Sequence, residues 1–423
     1  MSLTRGCGDA ALSRILLTWE LGLNLGHLAR LLPIATRLQA RGHSVLVAVR
    51  EVPAAAAVLG PVGIPFVQAP HLPHGLPLPG RASGYADILL SQGWSDAQVL
   101  WGLTQNWHNL LRMFRPDTVV VDYSPTALLA TQIAAIPTVL IGNGFELPPA
   151  ADPIPPFPGF SWATAEKAAA SERIAVDNAN MVRKRFGRPG LRSLSALFGD
   201  ATSVYVTFPE LDHYGARPNA RYVGPLLGGL KTERVDWPQG PKRVFACLRP
   251  DTTHVIAILE TLRTSGAAVV CFAPGFTRDQ LQKFACDQIR FSSRPVDLNH
   301  LAVDADACVS YGAEGTVATF LLAGVPQLIS PWHVEAHMAA RRIESMGAGL
   351  VLCSEQTVDT IIDRLRRILF DIGRKHFSQN VGPLSREFDS VKTADEVTNL
   401  IESVHQAQPA QSFINLQSVS AIL

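Results

Sequence analysis

The chain has no uninterrupted apolar run of about 18 residues, the length a membrane-crossing helix needs, so no integral membrane segment is expected. Its opening residues lack a basic stretch followed by an apolar run and a small-residue cleavage site, which makes a cytoplasmic protein the expectation. Charge is sparse and balanced, with 17% charged residues, a formal net charge of +1 and no block of one sign, so nucleic acid is not an expected partner. Six cysteines, Cys7, Cys247, Cys271, Cys286, Cys308 and Cys353, have no paired spacing and read as free core thiols in a reducing compartment. A dinucleotide fingerprint is missing, because the glycines from Gly22 to Gly26 have the wrong spacing, and NAD is excluded. Metal motifs are missing as well. Asp304 and Asp306 lead into a buried strand, while His333 and His337 stand four apart without a third ligand. Neither a metal nor any other cofactor is expected.

What remains is 423 residues with 47% hydrophobic content, enough for more than one core. Short apolar runs alternate with helical periodicity along the whole chain, the signature of an α/β fold with parallel sheets. Strands are expected at 15–18, 44–48, 65–67, 118–122, 137–141 and 203–207, then at 243–247, 267–272, 289–291, 307–310, 327–329 and 350–352. The first helix carries Leu28, Leu31, Leu32, Ala35 and Leu38 on one face, and Gly42 stands where a left-handed cap belongs. Residues 224–241 are rich in glycine, proline and charge, and read as a linker. The division is therefore 1–234, 235–407 and a tail at 408–423, giving two Rossmann-like domains. A proline-rich stretch, 145–160, reads as a loop over the carboxyl-terminal edge of the first sheet.

The densest chemistry lies between Val309 and Pro331. There a strand runs into a turn with Gly312 and Gly315, a short helix from about Thr316, then Gly324, Val325 and Pro326 before the next strand. Glycines let backbone N–H groups approach a ligand, and a helix amino terminus adds positive potential, so this turn suits an anion such as phosphate. A second helix follows Pro331 with Glu335 in its first turn. In the amino-terminal half, Gly26 and His27 follow the first strand directly, and Asp122 ends the run from Arg115. A histidine there also suits plain helix capping, and an aspartate ending a strand suits a turn.

The order Ser310, Tyr311, Gly312, Gly315, Thr316, then Gly324 to Pro326, then Pro331 and Glu335, resembles the donor segment of the UDP-glycosyltransferase superfamily. That pattern is Ser-His-Gly-Gly-x-Gly-Thr, Gly-Val-Pro, and Pro-x-x-x-(Asp/Glu)-Gln-x-x-Asn-Ala. The pair of Gly-His steps at residues 26–27 and 42–43 matches the same superfamily, although Arg30 replaces a common proline. The resemblance implies a GT-B fold, two Rossmann-like domains facing each other across a cleft, and inverting, metal-independent transfer of a hexosyl group. The sugar would come from a nucleoside-diphosphate donor, UDP- or dTDP-linked, and pass to a hydroxyl of a small, apolar acceptor.

In that scheme His27 is the general base and Asp122 orients it. Gly312, Gly315 and Thr316 hold the diphosphate, Tyr311 stands in place of the phosphate-contacting histidine, and Glu335 accepts from sugar hydroxyls. The backbone at Val296 lies beside the base, and Arg249 supplies the positive charge that Tyr311 lacks. Ala336 and Ala339 replace the usual glutamine and asparagine, so the sugar is held differently or with less discrimination. Trp94, Trp101 and Phe145, with Trp107 and Trp162, are the aromatic candidates for an acceptor pocket, an aromatic stripe being equally suited to core. Two alternatives stay open on these departures: a non-catalytic nucleotide-sugar-binding protein, or a sugar-nucleotide epimerase of the same fold. Oligomeric state is not legible.

Overall fold

The computed structural model describes residues 12–22, 25–353, 355–372 and 388–407; Cys7 and the expected tail at 408–423 lie outside the described residues. The chain divides into two compact units. One comprises Met1–Gly142, Glu146–Val204 and Ala394–Leu423, the other Asn143–Phe145 and Tyr205–Thr393.

The first unit is built on β1 (Arg14–Trp19), β2 (Ser44–Val49), β3 (Phe66–Gln68), β4 (Thr118–Asp122), β5 (Thr138–Gly142) and β6 (Thr202–Tyr205), in the order β3-β2-β1-β4-β5-β6. The second unit repeats the plan with β7 (Arg243–Cys247), β8 (Ala268–Phe272), β9 (Ile289–Ser292), β10 (Ala307–Ser310), β11 (Gln327–Ile329) and β12 (Gly349–Val351), in the order β12-β11-β10-β7-β8-β9. The registered pairs are parallel. The central strands run as unbroken valine, leucine and isoleucine because helices cover both faces, and every residue of β4 and β5 is buried. Each expected strand is present, displaced by at most a residue or two at its ends.

In both sheets the strand order reverses once, between β1 and β4 and between β7 and β10. Such a switch point leaves a crevice outside the carboxyl ends of two neighbouring strands, because their following helices turn to opposite faces. Trp19 at the end of β1 pairs with Asp122 at the end of β4, and Cys247 at the end of β7 pairs with Ser310 at the end of β10. The residues that the sequence singles out follow these four strand ends.

The boundary differs from the expectation. The change of unit falls at Val204 and Tyr205, about thirty residues before 235. The intervening stretch lacks apolar periodicity but is pinned to the second unit by other means. Phe208 and Leu211 enter its core, buried Asp212 accepts from Arg217 and Tyr222, and Glu233 pairs with Val296. The helix Ser390–Ala407 is likewise split: from Ala394 it belongs to the first unit, where Arg37 pairs with Asp395 at 2.7 Å and Glu402 meets Arg41 and His43 at 2.7 and 2.9 Å. The five cysteines within the described residues are free, and burial pushes the thiols of Cys247 and Cys271 well up, so they are inert core groups.

Candidate active site

His27 sits in the first turn of the helix Gly26–Ala40, two residues after the amino-terminal cap Leu25, which makes no side-chain bond. The loop from β1 therefore delivers it to the end of β4. Its Nδ1 lies 3.1 Å from Oδ1 of Asp122. An ionised carboxylate can only accept, so Nδ1 carries the hydrogen, and in the neutral imidazole Nε2 holds the lone pair. Asp122 is fully buried and His27 is 8% exposed. The imidazole stacks against Trp19, with centroids 5.4 Å apart, and against Tyr123 at 6.1 Å. On its Nε2 side stands Gly22, with a φ of +82°.

Two further charged residues complete this cluster. Nη1 of Arg30 lies 2.6 Å from Oδ1 of Asp122 and 2.6 Å from Oε2 of Glu146, and the other oxygen of Glu146 is 3.8 Å from Nδ1 of His27. Burial pushes the His27 imidazole towards its neutral form, but the charges of Asp122 and Glu146 and the Asp122 hydrogen bond outweigh it against Arg30, so its pKa lies above the ordinary value. For Asp122, burial pushes upward, and the charges of Arg30 and His27 reverse it, leaving the carboxylate more acidic than usual. His27, Asp122 and Glu146 come close enough to share a cation, and the guanidinium of Arg30 already occupies that place.

Sequence reading found His27 and Asp122 and missed Arg30 and Glu146 as members of the same network. The available signal was Arg30 itself, a charge on the otherwise apolar face of the first helix, three residues beyond His27. Nothing local points to Glu146, which folds back over Gly142, where a Cβ would lie 2.8 Å from its carboxylate.

In the second unit the glycine turn is present, with its helix over Glu314–Leu322, two residues earlier than expected. Gly312 has a φ of +93°, and a Cβ there would press on Ile329 and Ala336 at 3.1 and 3.2 Å. A Cβ at Gly315 would meet nothing within 4 Å, so open space lies beside the helix's first turn. Ala313 gives no side-chain cap, and the first intrahelical bond runs from Val317 to Ala313, leaving the preceding N–H groups directed out of the helix end.

Two of the expected donor side chains are buried: Tyr311 is packed in the core with Phe245 and Phe320, and Thr316 lies in the first turn of the helix. An anion bound at this turn would meet the backbone N–H groups at the start of the helix. Arg249 lies at the end of β7 with Nε 3.1 Å from Asp251 and its guanidinium 5.8 Å above the Trp332 ring. Glu335 is in the first turn of the helix Val334–Ser345 and takes a 3.3 Å bond from the Asn143 amide. His333 caps that helix through Nδ1, which accepts from Ala336 N, and burial, aided by His337, pushes its pKa down to about 4. At Val296 the bonds of the bridge to Glu233 use Pro295 and Asp297, so the N–H and C=O of Val296 itself point to the opposite side.

The aromatic candidates do not converge. Trp94 and Trp107 are fully buried core residues, and Trp94 donates to Thr126 at 3.1 Å. Trp101 lies beneath Arg185 and Trp162 beneath Arg81. The apparent stripe is interrupted because Gly93 breaks the backbone at φ +99° and Asp96 starts a new helix, Ala97–Phe114. Phe145 is buried against His213 within the second unit. Asp304 and Asp306 pair with Arg243 and Lys242 at the start of β7 and serve that strand, not a metal.

Residues 257–403 match the family model described as "Erythromycin biosynthesis protein CIII-like, C-terminal domain". A "PGL/p-HBAD biosynthesis glycosyltransferase" of Mycobacterium tuberculosis is 24% identical over 266 residues, 58% of this chain and 61% of that protein. The "Aclacinomycin-T 2-deoxy-L-fucose transferase" of Streptomyces galilaeus is 32% identical over 112 residues, 26% of this chain and 25% of its own length. The chain thus spans about three fifths of the first of these relatives. Among solved structures, the glycosyltransferase VinC in complex with dTDP superposes with a TM-score of 0.66 at 20% identity, covering 93% of this chain and all of VinC. The spinosyn rhamnosyltransferase SpnG gives 0.64 at 19% identity, covering 92% and 99%. No described helix is long and apolar enough to cross a membrane. Twin parallel sheets in this strand order give the chain the GT-B fold of these solved structures, and residues 257–403 are similar to the carboxyl-terminal domain of the CIII-like family.

Proposed function

We propose that the protein transfers a sugar from a nucleoside-diphosphate donor to a hydroxyl of a small, apolar acceptor, by an inverting and metal-independent route. The observation that carries this reading is the buried His27–Asp122 pair at the switch point of the first sheet, with Nδ1 committed to Asp122 and Nε2 free to accept a proton. An acceptor hydroxyl gives its proton to Nε2 as its oxygen bonds to the anomeric carbon. The bond from that carbon to the diphosphate oxygen breaks on the opposite face, and the bonding pair leaves with the nucleoside diphosphate. Backbone N–H groups at the start of the Glu314–Leu322 helix stabilise the charge that develops there, and Arg249 adds a cation. Since charge is met by dipoles and guanidinium, no metal step is required.

VinC and SpnG have been solved in complex with thymidine diphosphate, which favours a dTDP-linked donor over a UDP-linked one. Ala336 and Ala339 place methyl groups where the family pattern has amides, and this supports a sugar with few hydroxyls, of the deoxy kind named for relatives from Streptomyces galilaeus. The test has two parts. Thermal unfolding against dTDP, UDP, GDP and their sugar conjugates should show stabilisation by one nucleotide, about 2.7 kcal/mol at 100 times its dissociation constant. Product analysis with that donor and a panel of apolar alcohols should show transfer that His27→Ala abolishes while nucleotide stabilisation persists. Binding without transfer to any acceptor would support the non-catalytic reading, which Tyr311, Ala336 and Ala339, standing where the family pattern has other residues, favour.

A further inference from the structure

We propose that Arg30 and Glu146 are positioning residues that set the proton affinity of His27 by balancing charge in the buried cluster they form with His27 and Asp122. The inference deepens the reading of His27 as general base and rests on it. Its grounds are geometric. Arg30 lies three residues beyond His27 on one helix face, and its Nη1 bridges Asp122 and Glu146 at 2.6 Å to each. All four side chains are at most 9% exposed. A buried guanidinium is tolerated only when carboxylates compensate it, so the bridge is a requirement of folding as well as a restraint on Asp122.

The charges then count as follows. With neutral His27, Asp122 and Glu146 bring two negative charges and Arg30 one positive, so the network carries −1. Proton uptake at Nε2 brings it to zero. Without Glu146 the same step would run from zero to +1, which a dry site resists. Without Arg30 it would start at −2, and His27 would hold its proton too firmly to act as a base near neutral pH. Among the described residues, the Trp19 ring from β1, the Tyr123 ring after β4 and Gly22 also face the imidazole. Glu20 is next to Trp19, but its Oε2 accepts from Thr126 and Ala127 at the start of another helix.

The experiment is an NMR pH titration of the full-length protein carrying 13C at histidine Cε1, with the His27 signal assigned by its absence in His27→Gln. Glu146→Gln, which preserves shape, should lower the His27 pKa by about one unit or more, and Arg30→Met should raise it. Arg30→Lys should restore the wild-type titration by returning a cation to the bridge. Opposite shifts support the proposal; unchanged values, or shifts of the same sign, overturn it. Glu146→Gln alone decides the matter if Arg30→Met does not fold. The titration uses no donor or acceptor, so its result is separate from the transfer reading. Full transfer by His27→Ala would remove the base assignment alone, whereas an unshifted Glu146→Gln titration would remove the charge-balance proposal alone.

Discussion

A Cβ placed on Gly22 would lie 2.3 Å from Nε2 of His27. In the proposed reaction, the nitrogen that takes the acceptor's proton is therefore reachable only because residue 22 has no side chain. Gly22→Ala should remove transfer while sparing nucleotide binding in the other unit. It should also lower stability by about 1–2 kcal/mol, because φ at +82° strains any residue with a Cβ. Parallel assays of turnover and of dTDP-induced thermal shift check both halves of that statement.

Asp122→Asn keeps shape and a carbonyl oxygen for Nδ1–H, but loses the charge that stabilises the imidazolium. Turnover should fall on the order of 10²–10⁴-fold, with nucleotide affinity unchanged. A Kd for the nucleotide that moved in step with turnover would mean that the residue acts on donor binding instead.

The two glycines of the donor turn should respond differently. Gly312→Ala meets Ile329 and Ala336 and carries a left-handed φ, so the protein should lose thermal stability. Gly315→Val projects into open space beside the helix start, so folding should survive and nucleoside-diphosphate affinity should fall about tenfold or more. Melting temperature and calorimetric Kd, measured on both variants, separate the effects.

Burial pushes the Glu20 carboxyl up to about 7, opposed by the hydrogen bonds from Thr126 and Ala127. Since the folded pKa exceeds the ordinary 4.5, its stabilising contribution is complete below about 4.5 and is lost as the pH rises through about 7. Glu20→Gln should flatten that decline. Urea unfolding of wild type and variant between pH 4.5 and 8 measures it, and parallel curves across that range would show that Glu20 titrates normally.

Twelve strands were legible because parallel strands buried on both faces are written as continuous apolar runs, which a linear reading detects. His27 and Asp122 were legible because each directly follows or ends such a run. Glu146 was not, since it reaches Arg30 over 116 positions and no local pattern encodes the meeting. Tyr311 packs into the core with Phe245 and Phe320, a burial set by sheet order that no local pattern marks. The boundary near 235 failed for a related reason. Residues 205–240 are held by a buried aspartate, by tyrosines and by single apolar anchors, none of which is periodic.

The helix at Ser390–Ala407 returns from Ala394 onward to the unit in which the chain began. One unit is consequently an insert within the other, and neither a single cut nor a simple truncation can isolate the amino-terminal half intact. A chimera that exchanges the second unit must carry Asn143–Phe145 together with the segment from Tyr205 to Thr393, leaving Arg37, Arg41 and His43 with their own Asp395 and Glu402. A graft that runs to the carboxyl end would import foreign partners for those three side chains and would fail as an assembly problem before its specificity could be read.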